Sequence, residues 1–252
     1  MKITLCGKGG CGKSTISSLL AKEFAKEGKT VLVIDTDESN YGLHRQLGLE
    51  LPNDFTNFFG GKKAVIEELR ATGFTGVSYF EKPWTISEIP SEYISEKDGI
   101  KLIAIGKIHE TGEGCACPMG MISQQFIGNL DIKPNEIVIT DTEAGIEHFG
   151  RNIEKDVDAV LMVVDPSYES FKLSEKVSEL SGSINKPVYY ILNKVDSSNE
   201  STMREAVGKT EKIIAAMPSE SKLALAGLKG EELRDEYPEI KKLAKFLSDN
   251  FN

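Results

Sequence analysis

The stretch that decides the fold of this chain reads Gly7-Lys8-Gly9-Gly10-Cys11-Gly12-Lys13-Ser14-Thr15. It satisfies the pattern GxxxxGK[ST]. An apolar run, Lys2 to Cys6, precedes it, and apolar residues at helical spacing follow it. A strand before the pattern and a helix after it are the context that distinguishes a phosphate-binding loop from a chance match. The sequence therefore predicts a nucleoside triphosphate site at the start of the chain.

The loop residues have separate predicted tasks. The glycines let backbone N–H groups curl round an anion at the positive end of a helix. Lys13 is expected to reach the β- and γ-phosphates, and the Ser14 hydroxyl to bind Mg²⁺. Thr15 is expected near the α-phosphate. Cys11 is interpreted as a packing residue, and Cys6 as part of the core.

Apolar runs alternate with helical patterns along the rest of the chain. Further predicted strands are Val31 to Ile34, Leu102 to Ile105, Ile137 to Thr140, Val157 to Val164, Val188 to Leu192 and Ile213 to Met217. Helical patterns include Ala64 to Leu69, Met119 to Leu130 and Phe171 to Leu180. The alternation predicts an α/β fold, in which residues 1–252 form one domain around a doubly wound, mainly parallel sheet of about seven strands. Val77 to Gly99 is the least regular stretch and is interpreted as an insertion.

Composition limits the classes of partner. The chain has 252 residues, 30 basic and 39 acidic, with a formal net charge of -9. This charge opposes nonspecific binding to nucleic acid or to anionic lipid. No apolar run approaches the length of a membrane span, and Met1 leads straight into a predicted core strand. We therefore expect a cytoplasmic protein that binds neither nucleic acid nor membrane.

Carboxylates follow two of the predicted strands. Asp35-Thr36-Asp37 ends the second strand, at the carboxyl edge where doubly wound sheets place ligands. The run Ile137 to Thr140 ends in Asp141, the Walker B arrangement, in which the aspartate holds Mg²⁺ through water. Gly145, four residues later, is expected to sense the γ-phosphate with its amide.

The base of the nucleotide is less clearly indicated. Asn193-Lys194-Val195-Asp196 matches the N-K-x-D pattern that reads guanine in GTPases, which argues for GTP. Met217-Pro218, after the last predicted strand, is a plausible wall for the base. The start of the glycine-rich loop argues for ATP instead.

Lys8 supplies that argument. The pattern K-G-G-x-G-K-S resembles the deviant Walker A motif of the MinD/ParA/nitrogenase iron-protein class. The resemblance implies ATP and Mg²⁺ enclosed in a homodimer, with Lys8 crossing to the partner's phosphates. It also implies that Asp37 orients the attacking water and that Asp35 supports the Mg²⁺ shell. Lys8 has no obvious carboxylate partner in its own chain, which fits a role across a dimer.

A cysteine pair lies in the loop after the third strand, at Cys115-Ala116-Cys117-Pro118. Two thiolates one residue apart chelate one soft metal ion but do not complete a tetrahedral shell. A two-fold axis through the loop would supply four sulfurs. Inert buried thiols and a redox pair are the alternatives.

Together with Glu143-Ala144-Gly145-Ile146-Glu147-His148-Phe149-Gly150-Arg151, the cysteine pair makes the chain similar to the CooC-type ATPases. These help insert nickel into carbon monoxide dehydrogenase. The resemblance implies a Zn²⁺ or Ni²⁺ ion shared across the dimer by Cys115 and Cys117, and a client metalloenzyme. The departures are Cys11 and the longer Val77 to Gly99 segment, which leaves the client open.

Two other functions compete with metallocentre maturation. A positioning ATPase of the ParA/MinD type should carry a basic DNA-binding face or a membrane-targeting tail. The C-terminal stripe of Ile240, Leu243, Ala244, Leu247 and Phe251 is instead expected to be core packing. A nickel-chaperone GTPase of the hydrogenase or urease type is suggested only by Asn193 to Asp196.

Overall fold

The computed structural model describes residues 1–73, 76–109, 117–145, 153–184 and 186–251. In these ranges the strands are β1 (Lys2–Gly7), β2 (Thr30–Asp35), β3 (Ser95–Lys97), β4 (Ile100–Ala104), β5 (Glu136–Asp141), β6 (Ala159–Val164), β7 (Val188–Val195) and β8 (Ile213–Pro218). The α-helices are α1 (Lys13–Lys26), α2 (Leu43–Leu47), α3 (Gly61–Ala71), α4 (Cys117–Asn129), α5 (Tyr168–Ile184), α6 (Glu200–Val207), α7 (Ser221–Lys229) and α8 (Pro238–Phe251).

The eight strands form one sheet in the order β3-β4-β2-β5-β1-β6-β7-β8. Every neighbouring pair is parallel except β3 and β4, which are antiparallel. The predicted α/β class with a mainly parallel sheet is therefore confirmed, with one strand more than the seven expected. The extra strand is β3, whose three residues are polar and carry no apolar pattern. Asp98 and Gly99, both with positive φ, form the tight turn that joins it to β4.

Helices cover both faces of the sheet, as a doubly wound fold requires. Helices α1 and α8 pack on one face over alternate strand residues such as Ile3 and Leu5. Helices α3 to α6 pack on the other face. The expected stripe on α8 is confirmed as core packing for its four buried members, Ile240, Leu243, Ala244 and Leu247, whereas Phe251 is only half-buried.

The Val77 to Gly99 stretch contains two short 3₁₀ turns, Ile86–Glu88 and Ser91–Tyr93, and the strand β3. Its aromatic residues extend the core instead of standing apart from it. They gather round Phe55, whose ring centroid lies 4.9 Å from that of Phe126 and 5.8 Å from that of Tyr93. The stretch is thus integrated into the face that α4 covers.

The strand order brings together the strand ends that carry the predicted nucleotide-binding residues. Neighbours in the sheet include β2, β5, β1 and β6, all parallel, so their carboxyl ends share one edge. We call this edge, with the Gly7–Thr15 loop above it, the phosphate edge. No helix in the described ranges is long and apolar enough to span a membrane.

Candidate nucleotide site

The glycine-rich loop is shaped by close backbone contacts that only glycine permits. Gly12 has a φ of 104°, and a Cβ placed on it would lie 2.1 Å from Asn193 Nδ2. Gly7 has a φ of 147°, and its added Cβ would lie 2.5 Å from the Val163 carbonyl oxygen. Both positions therefore exclude other residues. The loop ends directly in α1, so the N-terminal amides of that helix face the loop, as predicted.

Lys13 is nearly buried at the start of α1, with 7% of its surface exposed. Its Nζ donates to the carbonyl oxygens of Gly7, at 3.2 Å, and Lys8, at 3.4 Å. The ammonium therefore lies inside the curl of the loop, where a β- or γ-phosphate is expected. Thr15 follows in the first turn of α1 and is half-buried.

Ser14 and Asp141 meet at the phosphate edge. The Ser14 hydroxyl donates to Asp141 Oδ2 at 2.6 Å, and Ser17 donates to Asp141 Oδ1 at 3.0 Å. Asn40 Nδ2 donates to Ser14 Oγ at 2.7 Å. Burial raises the pKa of the Asp141 carboxyl, and the hydrogen bonds from Ser14 and Ser17 oppose that shift. The predicted pair of Mg²⁺ ligands is thus adjacent in space although 127 residues separate the two in sequence.

Asp35 has a partner that the sequence analysis did not identify. Its buried carboxylate accepts a hydrogen bond from Lys107 Nζ at 2.5 Å. Burial raises the pKa of Asp35 to about 7, and Lys107 opposes that shift. The Asp35 carboxylate is therefore held in a buried ion pair with Lys107, and its expected support of the Mg²⁺ shell stays a prediction. Asp37, two residues on, is half-buried, and its Oδ1 accepts hydrogen bonds from the amide and hydroxyl of Ser39.

Lys8 does have a carboxylate partner within the chain, so the contrary expectation is wrong. Its Nζ lies 3.6 Å from Asp165 Oδ2, and Lys194 Nζ lies 3.9 Å from the same atom. Asp165 directly follows β6, which pairs with β1, so the sheet places it beside the loop. Sequence reasoning missed it because the contact depends on which strands are neighbours.

Gly145 contacts the glycine-rich loop, and its expected contact with the γ-phosphate stays a prediction. Its amide donates to the Gly7 carbonyl oxygen at 3.1 Å. The preceding residue, Ala144, packs against Gly9, because a Cβ added to Gly9 would lie 3.4 Å from the Ala144 Cβ. The segment after Asp141 is therefore attached to the glycine-rich loop through Gly7.

The N-K-x-D segment, Asn193 to Asp196, donates two hydrogen bonds to the glycine-rich loop. Asn193 Nδ2 donates to the Cys11 carbonyl oxygen at 2.7 Å, and Lys194 Nζ donates to the Gly10 carbonyl oxygen at 2.7 Å. Asp196 uses its carboxylate locally, because Oδ1 accepts hydrogen bonds from Ser198 and from the Asn199 amide. The carboxylate that would read guanine is thus engaged in the turn that begins α6.

The two residues predicted to form a wall for the base differ in burial. Met217 is fully buried among the core residues under α1 and α8, so its side chain does not face a ligand. Pro218, the last residue of β8, is half-buried and lies at the end of the strand.

The four cysteines fall in different environments. Cys6 is buried in β1, as expected, and Cys11 is fully buried. Burial raises the pKa of the Cys11 thiol to about 11, so the thiol stays protonated and packs as an apolar group. Cys115 lies outside the described residues, and Cys117 begins α4. In the part of the chain that the structure describes, no three His, Cys, Asp or Glu side chains are grouped as a metal would require.

Comparisons with known proteins now give the family. Residues 3–233 match the family model described as the CobQ/CobB/MinD/ParA nucleotide binding domain. This chain belongs to that family.

Two relatives and one solved structure are informative. An uncharacterized ATP-binding protein of Methanocaldococcus jannaschii is 51% identical over 249 residues, covering 98% of this chain and all of the relative. The carbon monoxide dehydrogenase accessory protein CooC of Rhodospirillum rubrum is 32% identical over 199 residues, covering 78% of this chain and 75% of the relative. The septum site-determining protein MinD of Pyrococcus horikoshii, complexed with Mg-ADP, has a TM-score of 0.68 at 15% identity, covering 98% of this chain and 95% of that one. At that identity the solved structure supports the fold alone.

Proposed function

We propose that this protein is a Mg²⁺-dependent ATPase, built as one nucleotide-binding domain, that matures a metallocentre. ATP-driven dimerisation and hydrolysis would be coupled to the insertion of nickel into carbon monoxide dehydrogenase or a related nickel enzyme. The observation that carries the proposal is the convergence of Lys13, Ser14 and Asp141 at one edge of a chain that is similar to CooC over most of its length.

The donor set suits magnesium. A serine hydroxyl and a buried carboxylate, 2.6 Å apart, offer the hard oxygen ligands that Mg²⁺ prefers. Ser14 would bind the ion directly and Asp141 through water. When bound, Mg²⁺ neutralises charge that develops on the phosphates.

The chain's own side chains supply the other tasks. Lys13 places a cation inside the loop curl, where it would hold the β- and γ-phosphates. Asp37, half-buried just after β2 at the phosphate edge, would orient the attacking water. Lys8 would leave Asp165 and reach across a homodimer to the partner's phosphates. The engaged carboxylate of Asp196 favours ATP over GTP.

Nickel would be the cargo of this reaction. Cys115 and Cys117 supply two thiolates per chain, so four thiolates would surround one ion at a dimer axis, in tetrahedral geometry for Zn²⁺ or square-planar geometry for Ni²⁺. This part of the proposal rests on the sequence pattern and on the similarity to CooC.

A positioning ATPase is the second candidate, favoured by the family model, whose description includes MinD and ParA. Two observations argue against it. The net charge of -9 opposes binding to nucleic acid or anionic lipid, and the burial of the α8 stripe leaves this helix without an apolar face for a membrane. A nickel-chaperone GTPase would require the Asp196 carboxylate to leave its turn.

Metal stoichiometry tests the proposal. We expect the purified protein to bind one Zn²⁺ or Ni²⁺ per dimer, and a Cys115→Ala, Cys117→Ala double variant to bind none. Cys6→Ala, which removes a buried thiol elsewhere, is the matched control and should bind as the wild type does. One ion per monomer, or unchanged binding by the double variant, would contradict the shared site.

A further inference from the structure

Lys107 is a lysine with no exposed surface, three residues beyond the end of β4. Transferring an ammonium group out of water is costly unless it is paired and hydrogen-bonded. A fully buried lysine is therefore stable only where oxygen atoms accept hydrogen bonds from its ammonium, and the position of those acceptors is in turn fixed by the ammonium.

The three acceptors of the ammonium lie at the last residue of β2 and in the segment that follows this strand. Lys107 Nζ donates to Asp35 Oδ2 at 2.5 Å, to the Asp37 carbonyl oxygen at 2.5 Å and to the Asn40 carbonyl oxygen at 2.6 Å. An ammonium has three protons, so this set satisfies its donors completely. The strand order explains why the Lys107 ammonium lies close to these acceptors, because β2 and β4 are parallel neighbours with Asp35 opposite Ala104.

The segment that Lys107 holds is part of the candidate nucleotide site. Asp37 is the predicted water-orienting residue, and Asn40 donates to Ser14 Oγ at 2.7 Å. The ammonium bonds the backbone of both residues. It therefore fixes their position relative to the Ser14–Asp141 pair.

Hydrogen bonds also hold the backbone of Lys107 and of the next residue, Ile108. The Lys107 amide donates to Asp54 Oδ2 at 3.0 Å. The next amide, of Ile108, donates to the Glu38 carbonyl oxygen at 3.1 Å, and the Tyr41 hydroxyl donates to the Ile108 carbonyl oxygen. Contacts on both the side chain and the backbone thus hold the ammonium against the segment after β2.

We propose that Lys107 is a positioning residue for ATP hydrolysis, which holds the backbone of Asp37 and Asn40 at the phosphate edge. The inference rests on the ATPase activity proposed above. Because the three protons of the Lys107 ammonium are donated to Asp35, Asp37 and Asn40, and not to phosphate-binding groups of the loop, Lys107 should set the turnover number and leave nucleotide affinity unchanged.

Lys107→Met removes the three donors while keeping most of the side-chain volume. We expect kcat to fall about 10²-fold, the size of effect that a misplaced reacting group produces. The dissociation constant of a slowly hydrolysed ATP analogue should stay within about three-fold of wild type. Lys101→Met, a matched change on β4 away from this segment, should leave both quantities unchanged.

A double-variant cycle separates positioning from general damage to the fold. If Lys107 acts through Asp37, then Lys107→Met should lower the residual single-turnover rate of Asp37→Ala by no more than about three-fold. A loss in the double variant equal to the product of the two single losses would overturn the inference.

A second variant covers the case in which Lys107→Met does not fold. Lys107→Arg keeps the charge beside Asp35 but its larger planar group does not fit the ammonium position. A folded Lys107→Arg protein should also hydrolyse ATP slowly. Wild-type turnover by either variant would overturn the positioning role of Lys107 and leave the proposed ATPase activity standing. A wild-type protein that hydrolyses no ATP would overturn the proposed function as well.

Discussion

At the scale of single residues, the site depends on groups placed at strand ends and loop turns. Lys13, Ser14 and Thr15 could be predicted because the glycine-rich motif is local in sequence. Asn40, Lys107 and Asp165 could not, because each contact requires knowledge of which strands are neighbours. Their only signal is a polar residue shortly after an apolar run, which many surface turns share.

Lys13 and Asp37 should have separable effects. A charge-assisted hydrogen bond contributes up to about 3 kcal/mol, so Lys13→Ala should weaken ATP binding by about 10²-fold. Asp37→Ala should keep binding and lose about 10²-fold in kcat, because only the orientation of the water is removed. Equilibrium binding and steady-state hydrolysis of both variants check this, and normal hydrolysis by Asp37→Ala would show that the water-orienting assignment is wrong.

Lys8 should matter for association more than for binding. Its ammonium lies beside Asp165 at 3.6 Å, so it must leave this carboxylate to reach a partner chain. We expect Lys8→Ala to bind ATP and to remain monomeric and inactive, whereas ATP shifts the wild type towards dimers. Light scattering with and without ATP measures this. The same ATP-driven increase in mass for both proteins would contradict a role for Lys8 in trans.

At the scale of elements, the strands of the parallel sheet were predictable because they are continuous apolar runs. The short strand β3 and the 3₁₀ turns of Val77 to Gly99 were not, because their residues carry no period. The aromatic cluster round Phe55 joins residues from three separate parts of the chain, so no local sequence pattern predicts it. Element type follows from local sequence here, whereas the packing of irregular segments does not.

In the connection between α7 and α8, the Glu232 carboxylate bonds lysines of α1 and β3. Glu232, 19% exposed, accepts from Lys22 at 2.8 Å and from Lys97 at 3.3 Å. The hydrogen bond from Lys22 is the main cause that lowers the pKa of Glu232 to about 2. Since the folded-state pKa is lowered, the stabilisation is present above the usual pKa of a glutamate and is lost as the pH falls towards 2.

Glu232→Gln should therefore lower the free energy of unfolding at pH 7 by about 1 to 2 kcal/mol. The difference from wild type should shrink as the pH is lowered below about 4.5. Denaturant unfolding across this pH range measures it. Glu236→Gln, which removes an exposed partner of Lys26, is the control and should unfold like the wild type. A pH-independent difference for Glu232→Gln would show that the ion pairs are not its cause.

At the scale of the whole molecule, one edge of the sheet gathers the glycine-rich loop, Asp141 and the segment held by Lys107. The family assignment and the similarity to CooC place this edge in a nucleotide-binding chain. The proposed work of that edge is to couple ATP turnover to the delivery of nickel, so the loss of Asp37, which slows turnover, should also stop delivery.

The nickel content of a client enzyme measures this coupling. A carbon monoxide dehydrogenase would be co-expressed with the wild-type protein, with Asp37→Ala or without either, then purified and analysed for nickel per cluster. We predict near-complete nickel occupancy with the wild type and low occupancy in the other two preparations at limiting nickel supply. Equal nickel occupancy in all three preparations would contradict a role in nickel insertion.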